Sequence, residues 1–264
     1  MSSPVLPPSA VVDRLRAAGC VFAEDEARLL VSAARDPADL TAMVERRAAG
    51  LPLEHVLGWA EFCGLRVAVD AGVFVPRRRT EFLVRQAAEL TGRRAQWPVV
   101  VVDLCCGSGA VGLALAARLA PAELHAADID PAAVRCARRN VAASGQVHEG
   151  DLYAPLPATL RGRIDVLAAN VPYVPTEEVG LLPAEAREHE ARVALDGGAD
   201  GLDVLRRVAA EAALWLAPGG HLLVETSERQ ASRAAGAFAA GGLNAEVTTS
   251  EELYATVVIG TRPS

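Results

Sequence analysis

The stretch VVVVDLCCGSGAVGLALAARL, residues 99–119, decides the fold. Its first part, Val99–Leu104, is a nearly unbroken apolar run, which reads as a central strand covered on both faces. Gly107 and Gly109 then allow a tight turn and leave room where no Cβ could be tolerated. Ala110–Leu119 continues as a helix whose first N–H groups have no partner within it. Gly107, Gly109 and Gly112 match G-x-G-x-x-G, so a nucleotide-type cofactor is expected and a nicotinamide or flavin enzyme must be weighed. A glycine turn of purely structural use is the competing reading.

Strand and helix alternate on either side of this unit. Strands are expected at Leu124–Asp128, Gln146–His148, Ile164–Ala169, His221–Glu225, Ala245–Thr248 and Tyr254–Ile259, with helices at Pro131–Ala142, Leu202–Leu216 and Ala231–Ala239. The outcome is an α/β fold built on an open, doubly wound sheet of seven strands. Only SEELYA separates the last two strands, too little for a helical crossover, so they should be antiparallel neighbours. Upstream, residues 1–58 read as helix-rich, with segments at Val11–Ala18, Ala23–Ala34, Pro37 to about Ala49 and Pro52–Leu57. Each is too short to stand alone, so they should form a small bundle. Residues 59–79 read as a β-hairpin connector, the apolar alternation Leu65, Val67, Val69 resuming at Val73 and Val75 after Asp-Ala-Gly. A helix over Thr80–Glu89 and the polar stretch TGRRAQ lead into the main domain, which we set at residues 80–264.

Composition excludes several chemistries. The 26 basic residues are all arginine, so neither a Schiff-base lysine nor a phosphate-gripping GK[ST] loop is available. The net charge of −7 argues against a broad nucleic-acid footprint. Cys20, Cys63, Cys105, Cys106 and Cys136 include no C-x-x-C pair and read as small buried hydrophobes rather than disulfides or zinc ligands. The five histidines show no metal-binding spacing. The N-terminus MSSPVLPPSA is not of signal-peptide type and no uninterrupted membrane span occurs, so a cytoplasmic location is expected.

Charge placement narrows the cofactor. Asp103, at the end of the first strand, favours a cationic group, such as a sulfonium, over a pyrophosphate. Asp128 ends the second strand 19 residues after Gly109 and can accept from both ribose hydroxyls. Asp130 precedes Pro131 and reads as a helix N-cap. Asp151 could accept from an adenine amino group, or be a solvated turn carboxylate. On the acceptor side, the fourth strand ends in LAANVPYVP. The Asn170 side-chain oxygen and a neighbouring backbone carbonyl form two convergent acceptors suited to an N–H₂ group, Tyr173 offers a flat wall, and Pro172 and Pro175 stiffen the loop. Alternatively Asn170 caps a turn and the Pro-Tyr pair packs internally.

The sequence resembles the protein-(glutamine-N5) methyltransferases that modify peptide chain release factors. FCGLRVAVDAGVFVPRRRTEFLV is similar to the family's FxGxxFxVxxxVLIPRPETExLV, DLCCGSGAVGLALA to DLGTGSGAIALALA, AADID to AVDIS, NVPY to NPPY, and EARVALDGGADGLDVLRRV to EPxxALxGGxDGLxxxRRI. The resemblance implies a Rossmann-like methyltransferase sheet with an antiparallel last strand, S-adenosyl-L-methionine as cofactor, and a protein acceptor with a release factor as candidate. It places the acceptor grip on Asn170, Val171, Pro172 and Tyr173, and the cofactor on Asp103, Gly107, Gly109, Asp128, Asp151 and Asn170. Phe74, Pro76 and Thr80 resemble residues near cofactor and acceptor. The helical residues 1–58 are then expected to dock the acceptor.

The chain departs from the pattern in several places. Val171 replaces the first proline of NPPY, Arg78 and Arg79 replace Pro-Glu, Ala191 replaces a proline, and ETSERQ stands where the family has Gly-x-x-Gln at the end of strand five. These departures leave open another protein amide or a small amine as acceptor and, in another class, a noncatalytic binding module; an adenine-N6 methyltransferase, which can use the same type of grip, and an NAD-dependent oxidoreductase, which explains GSGAVG but leaves NVPY without work, are the other rivals. Elsewhere, the run Arg77–Arg79 reads as a solvated surface stretch, with contact to an acidic patch or RNA on a partner as the alternative, Glu190 as a rim residue or a loop ion pair, and Gly197, Gly198 and Gly201 as turn formers.

Overall fold

The computed structural model describes residues 7–92 and 98–264; the start of MSSPVLPPSA and most of TGRRAQ lie outside the described residues. Four helices come first: α1 (Pro8–Ala17), α2 (Ala23–Ala33), α3 (Pro37–Ala48) and α4 (Leu53–Leu57). The third starts at Pro37 because Asp36, in extended conformation, accepts the Asp39 N–H at 2.8 Å. Val11, Leu15, Leu30, Met43 and Val44 give these helices a core of their own.

A two-stranded antiparallel hairpin follows, β1 (Trp59–Phe62) and β2 (Leu65–Ala68). Its turn is Cys63-Gly64, both residues at positive φ, and not Asp70-Ala71-Gly72 as the alternation suggests. A two-residue turn with both centres left-handed matches the twist of the paired strands. The Asp-Ala-Gly segment forms a bend in which the Val73 N–H returns to the Asp70 carbonyl. The helix expected from Thr80 begins one residue later, as α5 (Glu81–Thr91), after a 3₁₀ turn over Arg78–Thr80.

The main sheet contains β3 (Val99–Leu104), β4 (Ala122–Asp128), β5 (Gly145–Glu149), β6 (Ile164–Ala169), β7 (Leu216–Thr226), β8 (Asn244–Ser250) and β9 (Ala255–Thr261), in the order β5-β4-β3-β6-β7-β9-β8. Strands β3 to β7 pair in parallel, while β9 is antiparallel to both β7 and β8, so the expected doubly wound sheet with an antiparallel last strand is the observed one. The helices are α6 (Ala110–Arg118), α7 (Pro131–Val141), α8 (Ala184–His189), α9 (Asp203–Trp215) and α10 (Ala231–Ala240). Of these α8 has no clear periodic signal in the sequence.

The unbroken valine run of β3 has its cause in this layering. Val100, Val102 and Leu104 pack into the core beneath α9 and α10, and Val99 and Val101 into the opposite core with α5 and α6. Chain order reverses at β3, with β4 and β5 to one side and β6 and β7 to the other. The loops leaving the carboxyl ends of β3 and β6 therefore diverge and open a crevice between them. No helix among the described residues is long and apolar enough to cross a membrane.

Candidate functional site

The crevice is a deep cleft over the carboxyl ends of β3, β4 and β6, and the glycine turn forms one wall. Gly107, at φ +55, directs its N–H to Asp128 Oδ2 at 2.8 Å, and Asp128 Oδ1 accepts the Asp130 N–H at 2.9 Å. Each carboxylate oxygen thus spends one lone pair on the backbone and keeps acceptor capacity for a ligand hydroxyl. Burial raises the Asp128 carboxyl above its ordinary range. Asp130 accepts the Ala132 N–H at 2.9 Å, the N-cap expected before Pro131.

Asp103 does more structural work than its position suggests. Strand alternation turns it toward α6, where Oδ2 accepts the Gly112 N–H at 2.8 Å, and it is only 1% exposed although it lines the cleft. A Cβ on residue 112 would stand 3.1 Å from that carboxylate and from Leu124, so the third glycine of the fingerprint serves close helix–strand packing. Burial lifts the Asp103 carboxyl to about 7. Asp151 lines the cleft and its Oδ2 meets Arg207 at 2.5 Å, so it is not a solitary turn carboxylate, and acceptor capacity is left on its other oxygen. Cys105 also lines the cleft, at φ +54, where the resembling motif has glycine. It and Cys63 are only partly buried, which corrects the reading of all five cysteines as core residues.

On the acceptor side, Asn170 lies where β6 ends, and its Oδ1 is buried with no hydrogen-bond partner. Thr80 Oγ1 is likewise buried and unpartnered, and both residues line the cleft together with Phe74, Pro76 and Pro172. Buried acceptors without partners are rare because each forgoes the hydrogen bond it had in water. Val171 is 1% exposed and belongs to the core under α9, so its branched side chain anchors the loop where the family has a proline ring.

Tyr173 does not present the open wall expected of it. It lines a neighbouring pocket rather than the cleft; its hydroxyl accepts from Arg79 Nη2 and lies 3.4 Å from Glu225 Oε1, and its backbone carbonyl accepts from Gln230 Nε2 at 2.9 Å. Burial pushes its phenol up to about 12. Gln230, the last residue of ETSERQ, thus ties the acceptor loop to the Asp200 turn.

The arginine run lies at the surface, as expected, with Arg78 and Arg79 exposed and Arg77 about one third exposed, but two of its guanidinium groups reach buried carboxylates. Arg77 bridges both oxygens of Glu190 at 2.6 and 2.7 Å, and Arg79 Nε donates to Glu225 Oε1 at 2.8 Å. Glu190, whose side chain is fully buried, also accepts the Val75 N–H at 3.0 Å, so of its two readings it is the loop ion pair, with the Arg77 end about one third exposed. Burial raises its carboxyl despite Arg77. The periodic pattern could not show these pairs, since their partners lie more than 110 residues away. Gly197 and Gly201 do form turns, and they also back the acceptor loop: a Cβ on either would stand 2.6 Å from the Pro172 carbonyl or 2.3 Å from that of Tyr173.

A nucleoside cofactor fits these residues. Asp128 can hold a diol, Ile129 and Leu152 supply apolar surface, and the glycine turn carries no cation to grip a phosphate. The family model described as methyltransferase small domain matches residues 65–198. A release factor glutamine methyltransferase of Geobacter sulfurreducens is 39% identical over 78% of this chain and 72% of its own length. A 4-amino-L-phenylalanine/4-methylamino-L-phenylalanine methyltransferase of Streptomyces pristinaespiralis is 37% identical over 75% of this chain and 69% of its own. Among solved structures, a ribosomal protein L11 methylase from Lactobacillus delbrueckii subsp. bulgaricus superposes with a TM-score of 0.53 at 16% identity, covering 74% of this chain and 84% of its own, a likeness of fold. With the family model spanning half of the sequence and relatives near 40% identity across most of their length, this chain belongs to the release factor glutamine methyltransferase family of S-adenosylmethionine-dependent enzymes.

Proposed function

We propose that the chain methylates the side-chain amide nitrogen of a glutamine carried by a peptide chain release factor. The observation that carries this reading is the buried, unpartnered Oδ1 of Asn170 in the wall of the cleft. An acceptor atom kept dry and unpaired is poised for an N–H donor that arrives with the substrate. Asn170 Oδ1 takes one amide proton and the Val171 carbonyl the other, so the nitrogen lone pair is turned out of conjugation and toward the cofactor. When bound, S-adenosylmethionine supplies an electrophilic methyl group. Asp128 holds the ribose, the Gly107 turn allows close approach, and Asp103 and Asp151 complete the cofactor side. The protein's contribution is alignment of nitrogen and methyl carbon at about 3 to 3.5 Å, which can supply several kcal/mol. No strong general base is required, because the amide is acidified as the new bond forms.

Residues 1–58 serve as the docking part of this reading. Arg47, 8% exposed, holds Glu26 at 2.5 Å within the helices and Glu185 of α8 at 2.6 Å, while His55 Nε2 donates to the Val73 carbonyl at 2.8 Å. The helical part is thereby fixed relative to the segment that runs from the acceptor loop to Glu190.

Labelled S-adenosylmethionine, incubated with the wild-type chain and either a release factor or 4-amino-L-phenylalanine, tests the assignment. Label mapped to one release-factor glutamine supports it. Label on the aromatic amine alone places the chain with the Streptomyces relative's chemistry, and label on neither refutes both.

A further inference from the structure

The cluster of Arg79, Glu225 and Tyr173 sits behind the acceptor loop and has no part in the chemistry described so far. Glu225 is at the end of β7, its side chain 3% exposed, and only one of its oxygens is used: Oε1 meets Arg79 Nε at 2.8 Å and the Tyr173 hydroxyl at 3.4 Å, whereas Oε2 is buried without a partner. Arg79 reaches from the 3₁₀ turn before α5, with its guanidinium 5.9 Å from the centre of the Tyr173 ring. An ion pair with its carboxylate buried and its guanidinium nearly half exposed is a poor source of stability, because desolvation of the carboxylate and solvent screening at the arginine offset much of the attraction. One carboxylate oxygen left unsatisfied makes the stability account weaker still.

What the pair does provide is position. Tyr173 is held at both ends, its carbonyl by Gln230 and its hydroxyl by Arg79 and Glu225, and it closes the four-residue loop that begins at Asn170. The resembling family motif has glutamate where this chain has Arg79, so the cation on this loop is a feature of this chain's own sequence. We propose that Arg79 and Glu225 are positioning residues that act through the Tyr173 hydroxyl to hold Asn170 and the Val171 carbonyl at the amide-gripping geometry. The proposal rests on the functional reading above. Small displacements matter at such a site, since an error of 1 Å in alignment can cost about a hundredfold in rate.

A double-mutant cycle between Arg79 and Tyr173 tests this. Single-turnover methyl transfer to the release factor is measured for the wild type, R79A, Y173F and R79A/Y173F, with the affinity for S-adenosylmethionine and the acceptor KM. R79A and Y173F should each slow transfer by about tenfold to a hundredfold at saturating acceptor, with cofactor affinity and acceptor KM within about twofold. R79A should cost nothing further once the hydroxyl is gone, and R79K should recover part of the rate. E225Q, which keeps the shape and removes the charge, should behave like R79A and decides the matter should R79A fail to fold. Equal losses from R79A in both backgrounds, or a full rate for E225Q, overturn the proposal. Amide exchange at Tyr173 and Val174 needs no acceptor: it should quicken by tenfold or more in E225Q, and unchanged exchange also overturns the proposal. An inactive wild type whose loop amides respond as stated counts against the functional reading alone.

Discussion

Replacing Asp128 with alanine removes two things that the structure places on one carboxylate. Its oxygens hold the Gly107 and Asp130 N–H groups at 2.8 and 2.9 Å, and the lone pairs that remain are proposed to hold two ribose hydroxyls. Hydrogen bonds to a charged group contribute about 1.5 to 3 kcal/mol each. Loss of the two hydroxyl bonds, partly compensated by water entering the gap, should weaken cofactor binding by about 3 kcal/mol, roughly a hundredfold in Kd. The glycine turn loses two acceptors as well, which should lower the unfolding free energy by about 1 to 3 kcal/mol. Asp128→Asn keeps the volume and one acceptor oxygen and should fall between the two. Titration calorimetry with S-adenosylmethionine and with its demethylated product reads the first effect, and urea unfolding of the unliganded chain reads the second. An Asp128→Ala chain that binds both nucleosides within twofold of the wild type removes Asp128 from the site and refutes the reasoning.

Cys105→Gly should stabilise the chain by about 0.5 to 1 kcal/mol, because a side chain at φ +54 costs about 1 to 2 kcal/mol and the added freedom of the unfolded chain returns part of it; urea midpoints check this. Asp103, lifted by burial from 3.8 to about 7, holds a proton in the folded chain between those values that the unfolded chain releases. Its contribution to stability therefore falls as pH rises from about 4 to 7, and Asp103→Asn should remove that part of the slope in unfolding curves at pH 5 and pH 8; an unaltered slope contradicts the burial argument. Glu185 is half-exposed, so Glu185→Ala should change stability by less than about 1 kcal/mol, yet it removes the contact from Arg47 to α8. It should raise the KM for a release factor severalfold with no change in cofactor affinity, and an unchanged KM argues against docking by the helical part.

The valine run, the glycine fingerprint and the short SEELYA link were legible as a doubly wound sheet because each is a local pattern with one inexpensive structural solution. Asp130 at Pro131 and Asn170 at the end of β6 could be placed for the same reason. The hairpin turn was misplaced because Cys63-Gly64 lacks the asparagine or aspartate that usually marks a left-handed pair, whereas Asp70-Ala71-Gly72 carries a stronger turn composition. The arginine run is at the surface as its composition suggests, but a charge run has no period that reveals a distant buried partner. Only the folded chain brings Arg77 to Glu190 and Arg79 to Glu225. Tyr173 reads as an open wall from its place after the strand end, because the sequence does not show that its hydroxyl and carbonyl are both bound within the protein.

The central claim is that Asn170 grips the acceptor amide through an oxygen that is otherwise unpaired. The most direct test is the single-turnover rate of labelled methyl transfer to the release-factor glutamine by Asn170→Ala under saturating cofactor and acceptor, beside the wild type. Removal of one transition-state interaction should slow transfer by roughly tenfold to several hundredfold. Affinity for S-adenosylmethionine should change far less, because Asp128 and the glycine turn are untouched. A full single-turnover rate in Asn170→Ala would contradict the account.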